Sequence, residues 1–104
     1  MELPNQNGSG LTRGLKTMMN VEANALPLPG ANSTGDELFR LGLQYSTGQG
    51  GAPVDYVSAH MLFNLAAMRG SLEAKIYRKE LSEEMASADV AEAQRAAREW
   101  LAQA

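Results

Sequence analysis

Apolar positions along this chain follow two regimes that meet near Gly35. From residue 36 onward, large apolar side chains and alanines recur three and four positions apart with charged residues between them, the period of amphipathic helices. No run alternates with period two, so strands are not expected. The pattern predicts an all-α fold of about four helices. The first carries DELFRLGLQY, with Asp36 as its N-cap, and ends before TGQGG. The second starts at Asp55, a good cap after Pro53, and Gly70 stops it. The third opens at Ser71 and sets Leu72, Ile76, Tyr77, Leu81 and Met85 on its apolar side. The fourth follows Ser87 or Asp89, with Val90, Ala93, Ala97, Trp100, Leu101 and Ala104 as one stripe. Short connections predict that successive helices are antiparallel neighbours.

Residues 1–35 are rich in Gly, Pro, Asn and Ser, a composition that buries too little apolar surface to offset the entropy of ordering. The expected organisation is a flexible, mostly disordered tail over 1–35 and a helical domain over 36–104. One island interrupts the tail. LTRGLKTMMNVEANAL places Leu11, Leu15, Met18, Met19 and Leu26 at rough helical spacing. It is either a fluctuating linker or a short helix that docks on something.

The stretch STGQGGAPVD contains a G-x-G, yet a phosphate loop should follow a strand and lead to a lysine. Here a helix precedes it and no lysine follows, so Gly48, Gly50 and Gly51 are assigned to a tight reversal between helices. Gly42 stands mid-helix, where glycine destabilises unless another helix must come close. Ala59, Ala66 and Ala67 are the small residues expected to meet it, with Leu38, Leu41 and Tyr45 interdigitating with Leu62 and Phe63 around that contact.

Leu41-Gly42-x-x-Tyr45, then Gly48-x-Gly50, Asp55, Ala59, Ala66-Ala67 and Gly70 together resemble the Sel-1-like repeat, a member of the tetratricopeptide-like superfamily. The resemblance covers residues 36–70 best. Residues 71–104 resemble a degenerate repeat closed by a capping helix. The loop departs from the family pattern by one extra residue before Asp55 and by Gly51 where a valine is usual. Val54 or Ala52 is left to fill that hole, and Leu62 stands where a large aromatic is often found. The resemblance implies antiparallel helix hairpins, a bacterial setting and a protein-binding role. In that superfamily the first helix of each pair lines the concave surface, which on this chain carries Phe39, Arg40, Leu43 and Gln44, with Met61 as a supplementary contact.

Repeat units stack because one unit cannot bury its own faces. Phe39 and Leu43 point away from the set that meets the second helix, so they are expected to need cover from the region 11–28, from another protein or from a second copy. Met61, Leu65 and Met68 form a further stripe that the third helix is expected to cover. Contiguous apolar surface marks interaction sites, and methionine repacks easily on them.

Composition narrows the function. The net charge is −3 and the pI about 5.0, which speaks against a nucleic-acid partner. There is no cysteine, and no apolar run approaches a membrane helix. If the N-terminus is complete, the absence of a secretory leader predicts a cytoplasmic location. His60 is the sole histidine, mid-helix with Asn64 one turn on, and Glu80, Glu83 and Glu84 read as a solvated face near Lys79. Neither offers a nucleophile–base pair or metal-ligand spacing, so no enzyme activity, cofactor or metal is expected. The expected function is that of an adaptor or scaffold binding a peptide or protein. A self-associating structural protein, such as a homodimer, and a binding module gated by its own tail are the alternatives.

Overall fold

A computed structural model of the chain describes residues 29–103. Among them are four α-helices and no strand: α1 (Gly35–Thr47), α2 (Tyr56–Met68), α3 (Leu72–Glu84) and α4 (Ser87–Gln103), with a 3-10 turn at Gln49–Gly51. The tail expected over 1–35 falls outside the described residues as far as 28.

The cap of α1 lies two residues before the one expected at Asp36. Thr34 is the N-cap: its Oγ1 accepts from the Glu37 N–H at 3.0 Å, and Glu37 Oε1 accepts from the Thr34 N–H at 2.8 Å. This reciprocal pair satisfies two donors at once, which a lone aspartate cannot do. At its other end Gly48 turns left-handed at φ 81° and donates its N–H to the Gln44 carbonyl. The Asp55 N–H then donates to the Tyr45 carbonyl at 2.9 Å, tying the start of α2 to the end of α1. Asp55 caps α2 as expected, through Ser58. Gly70 closes α2 in a Schellman arrangement, with Ser71 N–H to the Ala66 carbonyl and Gly70 N–H to the Ala67 carbonyl. Ser71 caps α3 through the Ala74 N–H. Helix α4 starts at Ser87 and not after Asp89, because the Ala86 carbonyl already accepts from Asp89 and Val90.

Helix α2 is apolar nearly all round, the signature of a helix packed on every side. Every alanine, leucine, methionine and phenylalanine from Ala59 to Ala67 is buried. The other three helices each pack on it. Toward α1, a Cβ on Gly42 would lie 2.7 Å from the Phe63 ring and 3.4 Å from the Ala59 carbonyl. The close approach expected at Gly42 therefore exists, but the Phe63 ring is its main partner, with Ala59 meeting it through backbone. Gly35, which nothing in the pattern singled out, abuts the Arg69 and Ala66 carbonyls. Ala52, not Val54, is the buried residue of the loop.

Toward α3, the contacts pair His60 with Ser82 and Asn64 with Arg78, an antiparallel register. That register keeps only the C-terminal part of the expected stripe inward. Ala74 and Leu81 are buried and Met85 packs on the core, whereas Leu72 and Ile76 are exposed at 71% and 58%. Helices α3 and α4 are joined by two residues, yet each packs on α2 in preference to the other. The expectation of antiparallel neighbours fails at this pair. Ala93, Ala96, Ala97 and Trp100 form the buried side of α4, with Ala96 an addition to the expected stripe and Leu101 turned outward. On α2, His60 and Asn64 turn to α3, while Phe63 meets both Gly42 of α1 and Tyr77 of α3. Met61 and Leu65 of the expected stripe are buried, and Met68 remains exposed.

Candidate interaction groove

Helices α1 and α3 lie on the same side of α2 and meet through three rings. Phe39 of α1 packs edge-on against Tyr77 of α3, centroids 5.2 Å apart at 72°. Phe63 of α2 lies 5.8 Å from each. Edge-to-face and tilted geometries suit the quadrupoles of the rings. The triad buries Phe39 to 7% exposure, so the face expected to lack cover is covered by α3. Met61, at 1% exposure, is likewise core and presents no surface to a partner.

Beyond the triad, toward the C-terminal end of α1, α1 and α3 part over a groove of about 170 Å³. Phe63 and Leu81 form its floor, Ser46, Tyr56 and Tyr77 its walls, and Glu80 and Glu84 its rim. The two glutamates stand one turn apart on α3 and are exposed, as the tyrosines are at 40% and 41%. No ion pair neutralises either carboxylate among the described residues. The arrangement offers aromatic surface beneath a paired negative charge. Such a surface accepts an aliphatic stem that ends in an ammonium or guanidinium group.

The remaining expected contacts fall elsewhere. Leu43 is half-buried against the core. Arg40 and Gln44 lie on another side of α1, in a groove of about 300 Å³ with Glu37, Leu38, Leu41, Pro29 and Ser33. Arg40 is paired there with Asp36 at 2.7 Å. The four residues expected on one face of α1 are therefore divided between two. Helical arithmetic explains the division: Gln44 is turned about 140° from Phe39 and about 100° from Leu43 around the axis.

The structural motif residues hold the scaffold. Leu41, Tyr45, Ala59, Ala66 and Ala67 are core, and Gly48, Gly50 and Gly70 have positive φ. The sequence reading missed Tyr77 as the lid of Phe39, and with it the groove. The signal was present, because the i, i+3 and i+7 positions Tyr77, Glu80 and Glu84 share one side of α3.

His60 is buried in the α2–α3 seam. Its Nε2 lies 2.8 Å from Ser82 Oγ, while the Ser82 hydroxyl donates to the Arg78 carbonyl at 2.8 Å. With that proton committed, Ser82 accepts, so His60 carries its proton on Nε2. Nδ1 is left without a hydrogen-bond partner. Burial lowers the imidazole pKa from 6.5, the Arg78 guanidinium lowers it further, and a contact to its own backbone opposes both. Arg78 in turn donates to Asn64 Oδ1 at 2.7 Å. The charge beside this histidine is a cation. A general base would instead be paired with an orienting carboxylate. Among the described residues no cluster of three or more His, Asp or Glu is placed to hold a metal ion. None of the described helices is long and apolar enough to cross a membrane. Comparison with protein-family models, with curated proteins and with solved structures gives no match.

Proposed function

We propose that this protein is a non-catalytic interaction module of the Sel-1-like type, binding a peptide or protein segment in the groove between α1 and α3. The observation that carries the reading is the groove itself: aromatic walls from Tyr56 and Tyr77 under the exposed carboxylates of Glu80 and Glu84. The ligand class follows from it as a segment with a lysine or arginine beside a large aliphatic residue. The repeat assignment is supported by the sequence resemblance over residues 36–70. The lone histidine, held neutral beside an arginine, supports the non-catalytic one.

The test is selection of a random peptide display library against the purified protein. Enriched peptides should carry a cation next to aliphatic residues. Their affinity should fall on the order of tenfold in the Glu80→Lys, Glu84→Lys double variant, whose substitutions lie on exposed sites. Failure to enrich any peptide, or binding that survives the charge reversal, would sink the proposal.

A further inference from the structure

We infer that the groove between α1 and α3 is the docking site for this chain's own residues 11–19, so that the binding surface is masked in the free protein. The inference rests on the reading of that groove as a peptide-binding site. LTRGLKTMM combines two cations, Arg13 and Lys16, with four large apolar side chains, Leu11, Leu15, Met18 and Met19, and has no acidic residue. Those are the complements of the groove: carboxylates at Glu80 and Glu84, aromatic and aliphatic surface at Tyr56, Tyr77 and Leu81. Arg13 and Lys16 are moreover the only cations before Arg40.

Reach permits the contact. The chain enters the described structure at Pro29, beside the N-terminal half of α1. The groove opens near Ser46 at the other end of that helix. Thirteen residues of helix separate the two by about 20 Å. Residues 20–28, fully extended, span about 30 Å. The larger groove beside Pro29 is a poorer match. Its charges are mixed, with Glu37 and the Asp36–Arg40 ion pair at its edge, so it offers a basic segment less than the two carboxylates of α3 do.

Because the contact is intramolecular, modest complementarity suffices. A tether of this length supplies an effective concentration in the millimolar range. A partner would then have to compete with the segment, and its apparent affinity would be reduced by the fraction of molecules with the groove open.

The experiment is amide hydrogen exchange and chemical-shift mapping by NMR on the full chain. Wild type is compared with Arg13→Glu, Lys16→Glu, and with that pair combined with Glu80→Lys, Glu84→Lys. Expected in wild type is exchange of amides 11–19 slowed on the order of tenfold, unchanged by protein concentration. The first variant should lose the protection and shift the resonances of Ser46, Tyr77, Glu80 and Glu84. The fourfold variant should regain it. Unprotected amides 11–19 in wild type, with groove resonances indifferent to the tail charges, would overturn the inference. So would protection that grows with concentration, which assigns the contact to a second copy. Library-selected peptides added to the same samples separate the two readings. If they shift the groove resonances while the tail does not, only the masking falls. If neither does, the groove reading falls as well.

Discussion

At His60 the fold holds a titratable ring in the state that water favours only above its free pKa. The imidazole donates through Nε2 to Ser82, leaves Nδ1 unpartnered and faces the Arg78 guanidinium. Burial is the larger cause of the lowered pKa and Arg78 the second, and both oppose protonation in the native state. The unfolded chain takes up its proton near 6.5 while the folded chain does not. The neutral form's contribution is therefore complete above about 6.5 and is lost progressively as pH falls below it toward the lower folded value. Aspartate and glutamate titrate near 3.9 and 4.3 in free peptides, so the interval from pH 7.5 to 5.5 isolates the histidine. Urea unfolding should show a midpoint that drops across that interval in wild type. In His60→Gln, where the amide keeps a donor for Ser82 but cannot titrate, the drop should largely disappear. Parallel pH profiles for the two proteins would show that the ring does not report on the α2–α3 seam.

The elements themselves were legible from periodicity, because four stretches of three-and-four spacing became four helices and Asp55, Ser71 and Gly70 mark the ends they should. What periodicity could not resolve was rotation. Helix α3 has apolar residues on two sides, and the spacing alone favoured the side with Leu72 and Ile76. The polar pairs His60–Ser82 and Asn64–Arg78 fix a different rotation, which adds Ala74 to the expected Leu81 and turns Leu72 and Ile76 outward. The cover of Phe39 was missed for the same reason. Phe39 looked uncovered because Tyr77 had been assigned to the core, not to the ring triad above it. Arg69 was invisible to pattern reading altogether, since an arginine beside a helix-ending glycine reads as solvated. Its Nη1 donates to the carbonyls of Ala31 at 2.8 Å and Ser33 at 2.6 Å, and its guanidinium sits 5.5 Å over the Trp100 ring. One side chain thus joins the entry segment, the end of α2 and α4. Arg69→Met keeps the stem but removes these bonds, and should destabilise by about 1 kcal/mol. Because Trp100 is the sole tryptophan, its emission reports the change directly. The emission should shift, and the Ser33 amide should exchange faster, while the Ser82 amide keeps its rate. A variant with unaltered emission and exchange would show that the latch contributes nothing.

For the molecule as a whole, the decisive feature is that α2 is shared. Helices α3 and α4 rest on different sides of it and make little contact with each other. Leu81 and Trp100 are the largest buried side chains of α3 and α4. Truncating either removes apolar burial against α2: Leu81→Ala should cost about 2–3 kcal/mol, and Trp100→Phe, a smaller change in volume, about 1 kcal/mol. Substitutions without shared partners add, so the double variant should equal the sum within about 0.5 kcal/mol. The ring triad makes the opposite prediction. Phe39 and Tyr77 touch at 5.2 Å across α1 and α3, and both lean on Phe63. Phe39→Leu combined with Tyr77→Leu should destabilise by less than the sum of the two, because each single change already breaks the same contact. The coupling should be about 0.5–1.5 kcal/mol, the range of aromatic pairs. Urea denaturation of the two cycles measures both quantities on one scale. If Leu81 and Trp100 couple as strongly as Phe39 and Tyr77, then α3 and α4 communicate through α2, and the shared helix is a transmitter between them. If only the rings couple, α1 and α3 act as one wall-pair across the groove, and α4 serves to bury the far side of α2.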